Sequence, residues 1–253
     1  PVCLQRSQEK RIISSMIKVD GVCKTFQTSE GPNRALKNVS FTIQDGECVL
    51  IGGENGSGKS VLMSILAGLD GADSGFVDCQ GQRPGLVFQE SETQILGETP
   101  REDIAFGPRN LGWSKSKIKE AVDKALEKTG LSEKADFPAR FLSGGEKRRL
   151  AVACMIAMNL PIIILDEPYA NLDYVGVKQV NALIRQLKDE GKTVLILSHE
   201  IEKCLGLADK FVVLFRGEKV FEGSAEEGLQ QDLEQWNIRN PLVSYKGVQD
   251  LVW

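Results

Sequence analysis

The sequence predicts an α/β fold: a mostly parallel core sheet, an antiparallel β subdomain at the N-terminal end and an inserted helical subdomain. Three observations carry that prediction. Short apolar runs alternate with amphipathic stretches along most of the 253 residues, the pattern of a parallel sheet crossed by helices. A glycine-rich turn, Gly53 to Ser60, sits between a buried strand and a helix, and phosphate-binding loops need that setting. A polar, helix-rich stretch from about Thr93 to Ala157 interrupts the strand series.

In chain order, residues 1–15 read as an extension before Met16, without the apolar centre of a secretion signal. Alternation in "IKVDGVCKTF" and "LKNVSFTI" predicts antiparallel strands. The short buried strand "CVLIG" then enters the glycine turn, and "SVLMSILAGL" has helical spacing. Strands are expected at "GFVDC" and "GLVFQ", and a helix at "KSKIKEAVDKALEKTG". The core resumes with the strand "PIIIL", the helix "GVKQVNALIRQLKDEG", the strand "TVLIL", a helix from Glu200 and a hairpin in "FVVLFRGEKVFEG". The main domain is expected over residues 16–230, with 231–253 as a C-terminal tail broken at Pro241.

Composition narrows the function classes. A net charge of −4 and a pI near 5.3 give no general attraction for nucleic acid or an anionic bilayer. The longest apolar tract, Ala151 to Leu165, is interrupted by Asn159 and Pro161 and is too short to span a membrane. Six scattered cysteines lack zinc-type spacing and read as reduced thiols of a cytosolic protein.

Gly53, Asn55, Gly56, Ser57, Gly58, Lys59 and Ser60 fall within GxxxxGK[ST]. The glycines let successive backbone N–H groups face phosphate oxygens, Lys59 reaches the terminal phosphates, and Ser60 offers a hydroxyl to Mg²⁺. The apolar run "IIILDEP" delivers Asp166 and Glu167 at the carboxyl end of a strand, where ligands of parallel sheets sit. Asp166 is expected to hold Mg²⁺ through water and Glu167 to polarise the attacking water. His199 also ends a buried strand; a lone histidine is commonly structural, but this position suits contact with a γ-phosphate. Gln89 ends a strand at the start of the helical insert and offers an amide oxygen to Mg²⁺. Ser143 and Glu146 form an S-x-x-E capping box, while Ser143, Gly144 and Gly145 leave an open helix N-terminus that is also an anion site. Both roles can hold at once.

"LSGGE" between a P-loop and the strand "IIILDEP" resembles the signature of ABC-type ATPases, and the resemblance covers nearly the whole chain. It implies a P-loop NTPase fold that binds ATP with Mg²⁺, with the signature turn closing on ATP held by a second subunit. It further implies Phe26 under the adenine, Gln89 as the Q-loop, Asn171 to Asp173 as the D-loop, and His199 as the switch histidine. Val61 after the P-loop serine and Asn171 in the D-loop depart slightly from the family pattern.

The run "VFQESETQILGETPREDIAFGPRNLG" is similar to the ATPases of energy-coupling-factor and cobalt or nickel importers, with Ser91 in place of the usual proline. That likeness implies a vitamin or metal-ion importer on the inner face of the cell membrane. Its ATPase pairs with a second ATPase subunit, identical or paralogous, and docks a transmembrane coupling protein that serves a substrate-binding membrane subunit. Two other readings compete. A soluble ATPase of translation or DNA repair would need a second ATPase unit, a long coiled coil or a basic patch for nucleic acid, and the chain carries none of these. A small-molecule phosphoryl transferase would leave "LSGGE" as a plain helix cap.

Overall fold

The computed structural model describes residues 17–29 and 31–242. Strands β1 (Ile17–Thr28), β2 (Gly31–Ile43) and β4 (Ser74–Asp78) form an antiparallel sheet in the order β2-β1-β4. The second sheet contains β3 (Cys48–Gly52), β5 (Gly85–Val87), β6 (Ile162–Asp166), β7 (Thr193–Ser198), β8 (Lys210–Phe215) and β9 (Glu218–Gly223). Its order is β5-β6-β7-β3-β8-β9, parallel except for β9, which returns antiparallel to β8 as the expected hairpin.

The parallel strands read as continuous apolar runs because both their faces are covered. Cys48, Leu50, Ile163, Leu165, Val194 and Ile196 pack on one side against α5 (Tyr174–Asp189). Their alternates Val49, Ile51, Ile162, Ile164, Leu195 and Leu197 pack on the other side with α1 (Lys59–Leu66) and with Val19, Val22, Val39 and Phe41 of the antiparallel sheet. That second contact sets the antiparallel sheet over the glycine turn.

The insert comprises α2 (Pro100–Asn110), α3 (Lys115–Lys128) and α4 (Gly144–Ala157), preceded by a 3₁₀ turn at Ser91–Gln94. Ile104, Val122, Leu126, Leu131 and Leu150 form its core. Helix α4 is buried on two sides: Leu150, Ala153 and Ala157 face the insert, while Ala151 and Val152 face the sheet. The apolar residues therefore run around much of the helix instead of forming one stripe.

Two boundaries differ from expectation. No α-helix starts at Glu200; two 3₁₀ turns, Ile201–Lys203 and Leu205–Leu207, flank Cys204 with its φ of −144°. Ile201, Cys204, Leu205 and Leu207 are all buried, so the segment wedges into the core rather than presenting one helical face. Strand β5 stops at Val87, two residues before Gln89, because the Gln94 side chain accepts from Phe88 N and donates to Leu86 O. Packing also continues past residue 230, since Leu233 and Ile238 are buried in the core. Residues 1–16 and 243–253, including the expected extension and the second half of the tail, lie outside the described residues. So does Cys3; the other five cysteines are free thiols.

Candidate functional site at the carboxyl edge of the parallel sheet

Strands β3, β6 and β7 all end on the same edge of the sheet, and that shared edge builds the site. The chain leaves β3 through Gly53, whose φ is 150°; a Cβ there would lie 2.2 Å from Leu214 O. At Gly58, φ is 105° and a Cβ would meet Ala35 O at 2.5 Å. Only glycine lets the loop pass between β8 and β2 before α1 begins at Lys59. The β8–β9 turn clamps this arrangement, with Gly217 N donating to Ser57 O and Lys37 N donating to Gly217 O.

A cavity of about 700 Å³ opens over the loop. Phe26, Asn55, Gly56, Gly58, Lys59, Ser60, Gln89 and Glu167 all line it. The sequence-predicted residues from four distant segments therefore meet in one place. Gly53 and Ser57 lie in the turn beneath. Three basic side chains at the cavity, Arg34, Lys37 and Arg216, carry no sequence motif and were not anticipated. Strand register brings the first there: Phe26 pairs with Asn33 and Thr25 with Arg34. Locally the cavity is basic although the chain is acidic, which favours an anionic ligand.

Lys59 is buried, and its ammonium donates to Gly53 O at 2.8 Å and Glu54 O at 3.0 Å, with Glu167 Oε1 at 3.8 Å. Burial lowers its pKa, while the Glu167, Asp166 and Glu54 charges oppose that shift. Asp166 is 7% exposed, and its Oδ1 has no hydrogen-bond partner. Burial, with the neighbouring Glu167 charge, pushes its pKa up to about 6 against the pull of Lys59. Such a buried, under-partnered carboxylate is suited to receiving a cation.

Glu167 follows with φ at 44°, left-handed backbone that is costly for a residue with a side chain. The turn drives its carboxylate toward the end of β7. Oε1 accepts from His199 N at 3.1 Å and lies 2.9 Å from His199 Nδ1; Oε2 accepts from Ser198 Oγ at 3.1 Å. Lys59, Glu167 and His199 thus form one contact chain across three strand ends.

Ser143, Gly144 and Gly145 stand apart from this cavity. Ser143 caps α4, with its Oγ accepting from Glu146 N while Glu146 Oε2 accepts from Ser143 N. The capping box expected from sequence is present, and it leaves Ser143 and Gly144 exposed with open space at the Gly144 Cα. Their neighbour is the D-loop: a Cβ on Gly145 would lie 3.6 Å from Leu172. Asp173, like Ser143, caps a helix, with its carboxylate accepting from Gly176 N at 2.7 Å. A further unanticipated residue, buried Arg148, donates to Gln89 O, Pro168 O and Ala170 O, joining the Q-loop to the segment after Glu167.

Comparison with known proteins agrees with this geometry. Residues 36–170 match the family model described as ABC transporter. The energy-coupling factor transporter ATP-binding protein EcfA2 of Clostridium perfringens is 39% identical, with the match covering 83% of this chain and 81% of that protein. The structure of cbiO1 from Clostridium perfringens, described as part of the ABC transporter complex cbiONQ, superposes with a TM-score of 0.78 at 29% identity, covering 90% of this chain and 96% of that one. A dimeric post-hydrolysis state of the ATP-binding cassette MJ0796, bound to ADP and Pi, superposes with a TM-score of 0.74 at 28% identity, covering 83% and 98%. The P-loop cavity, the acids at the end of β6 and these likenesses lead to one conclusion: the chain belongs to the ABC transporter family, as an ATP-binding, ATP-hydrolysing subunit resembling the energy-coupling-factor branch.

Proposed function

We propose that this chain powers an importer of the energy-coupling-factor type for a vitamin or transition-metal ion, by closing with a second ATPase subunit around ATP. The observation that carries the reading is the separation of two anion-binding turns. The P-loop lines the cavity, whereas Ser143 and Gly144 are exposed outside it, beside the D-loop. A second chain, identical or paralogous, therefore supplies the signature turn to each ATP, and Asp173 lies on the same closing face. Phe26 is half-exposed at the cavity and stacks under adenine.

Mg²⁺ takes few protein ligands and shares substrate phosphates and water. The donor set fits it: Ser60 hydroxyl and Gln89 amide oxygen at the cavity, and the partnerless Asp166 Oδ1 at the strand end. When bound, the ion neutralises charge developing on the phosphates. Asn55, Gly56, Ser57, Gly58 and Lys59 hold the phosphates, Glu167 orients water, and His199 holds Glu167 and the γ-phosphate in line.

The membrane partner is proposed to dock on the insert. A groove of about 540 Å³ lies between the Glu92–Thr99 segment and Pro138–Arg140, and Leu96 and Phe106 of the same insert are exposed apolar side chains. Among the described residues no helix is long and apolar enough to cross a membrane. The proposed location is the cytoplasmic face of the membrane, with the subunit bound through this groove to a transmembrane coupling protein that works with a substrate-binding membrane subunit.

Mixing two inactive variants tests the closure. Lys59→Ala removes the charge-assisted phosphate contact, and Ser143→Arg blocks the signature turn. Neither alone should dimerise with ATP; a mixture regains one sound site and should partly dimerise in sedimentation. Where the partner is paralogous, the two lesions are divided between the two chains. No recovery in either arrangement, with both variants folded, would refute closure in trans.

A further inference from the structure

The carboxylate of Glu167 has a partner that no sequence motif assigns. Ser198, the last residue of β7, is fully buried, directly behind the acid. Its hydroxyl makes two contacts. It accepts from Glu200 N at 3.1 Å, and it lies 3.1 Å from Glu167 Oε2. A hydroxyl has one hydrogen to donate. With the Glu200 N–H occupying an acceptor position, that hydrogen is left for the carboxylate. The Glu200 contact therefore fixes the direction in which Ser198 donates.

Glu167 needs such a constraint more than most acids. Its backbone is in left-handed conformation, which launches the side chain from an uncommon direction. Its other contacts are of a different kind: the backbone N–H of His199 donates to Oε1 at 3.1 Å and to Oε2 at 3.4 Å, Lys59 stands 3.8 Å from Oε1 and is also the group that meets phosphate, and the His199 side chain is 42% exposed. The Ser198 hydroxyl is uncharged, fully buried and outside the cavity lining, which sets it apart from the two ionisable side-chain partners of Glu167.

We propose that Ser198 is a positioning residue for ATP hydrolysis: its hydroxyl, oriented by Glu200 N–H, holds Glu167 Oε2 so that Oε1 stays toward Lys59 and His199. This rests on the reading of Glu167 as the group that orients the attacking water. Ser198 does not touch nucleotide, so it acts on the rate constant and not on binding.

The test is a double-mutant cycle on the full chain with MgATP, crossing Ser198→Ala with Glu167→Gln and measuring single-turnover hydrolysis, KM for ATP and melting temperature. Ser198→Ala should lower kcat about tenfold, the effect of one lost hydrogen bond to a charged group, with KM within twofold. Ser198→Thr, which restores the hydroxyl, should recover most of the rate. In the Glu167→Gln background, Ser198→Ala should cost nothing further, because the group it positions is gone. Equal losses in both backgrounds would make Ser198 merely structural and overturn the inference, as would a rise in KM matching the loss in kcat or an unchanged rate in Ser198→Ala. A Glu167→Gln chain that retains normal turnover would instead refute the underlying reading of Glu167, whatever Ser198 does.

Discussion

Asp166 shows how the site opposes the fold that carries it. Its folded pKa of about 6 lies above the ordinary 3.8, so between those values the folded chain binds more protons than the unfolded one. Stability from this group is fully present below about pH 4 and is lost as pH rises through about 6. Asp166→Asn removes the buried charge, and the nucleotide-free variant should melt above the parent at pH 7.5. That advantage should shrink on acidification and vanish near pH 4; a variant no more stable than the parent at pH 7.5 would contradict the burial argument. Glu167→Gln separates binding from chemistry. The amide keeps the shape but cannot orient water as the carboxylate does, so ATP binding should persist while hydrolysis falls at least about a hundredfold. Near-normal turnover would remove Glu167 from the reaction. These residues were legible in the sequence because a strand end fixes where they stand. Arg34, Lys37 and Arg216 were not, because their approach to the cavity depends on strand register and on a hairpin clamped across the P-loop.

Among the elements, α4 combines a helix cap with the turn proposed to close on a second chain's ATP. Its capping box satisfies backbone N–H groups locally, and the Glu146 side chain that closes it also pairs with Lys134. Glu146→Ala should therefore cost about 1 kcal/mol, read as a fall of about 2–4 °C in melting temperature for a chain of this size, with ATP affinity of the isolated chain unchanged. A matching loss of ATP affinity would mean that the turn serves its own cavity. The capping box was readable because its chemistry is confined to four residues. The segment after Glu200 was misread as a helix for the opposite reason: apolar Ile201, Cys204, Leu205 and Leu207 are spaced plausibly for one, yet all are buried, and only the surrounding core decides their backbone. Arg148 belongs to this scale too. Its three carbonyl acceptors come from the Q-loop and the segment after β6, a long-range arrangement with no local signature.

For the whole molecule, the mostly parallel core and the antiparallel strands followed from buried runs and alternation, which record how many faces of each strand are covered, whereas the strand order β5-β6-β7-β3-β8-β9 rests on long-range pairing with no local signature. The docking role proposed for the insert is tested by Phe106→Asp: Phe106 is 47% exposed, so the change should spare the fold while reducing membrane association and transport. Full transport with an unchanged melting curve would move the docking surface elsewhere. The signature turn is proposed to act on another chain's nucleotide. The most direct measurement of this is ATP affinity of the isolated Ser143→Arg chain, titrated at a concentration where the parent is monomeric and with a melting curve to establish folding. Affinity should stay within about twofold of the parent, together with loss of ATP-driven association at higher concentration; a folded Ser143→Arg monomer that loses ATP as Lys59→Ala does would show that the turn serves its own cavity.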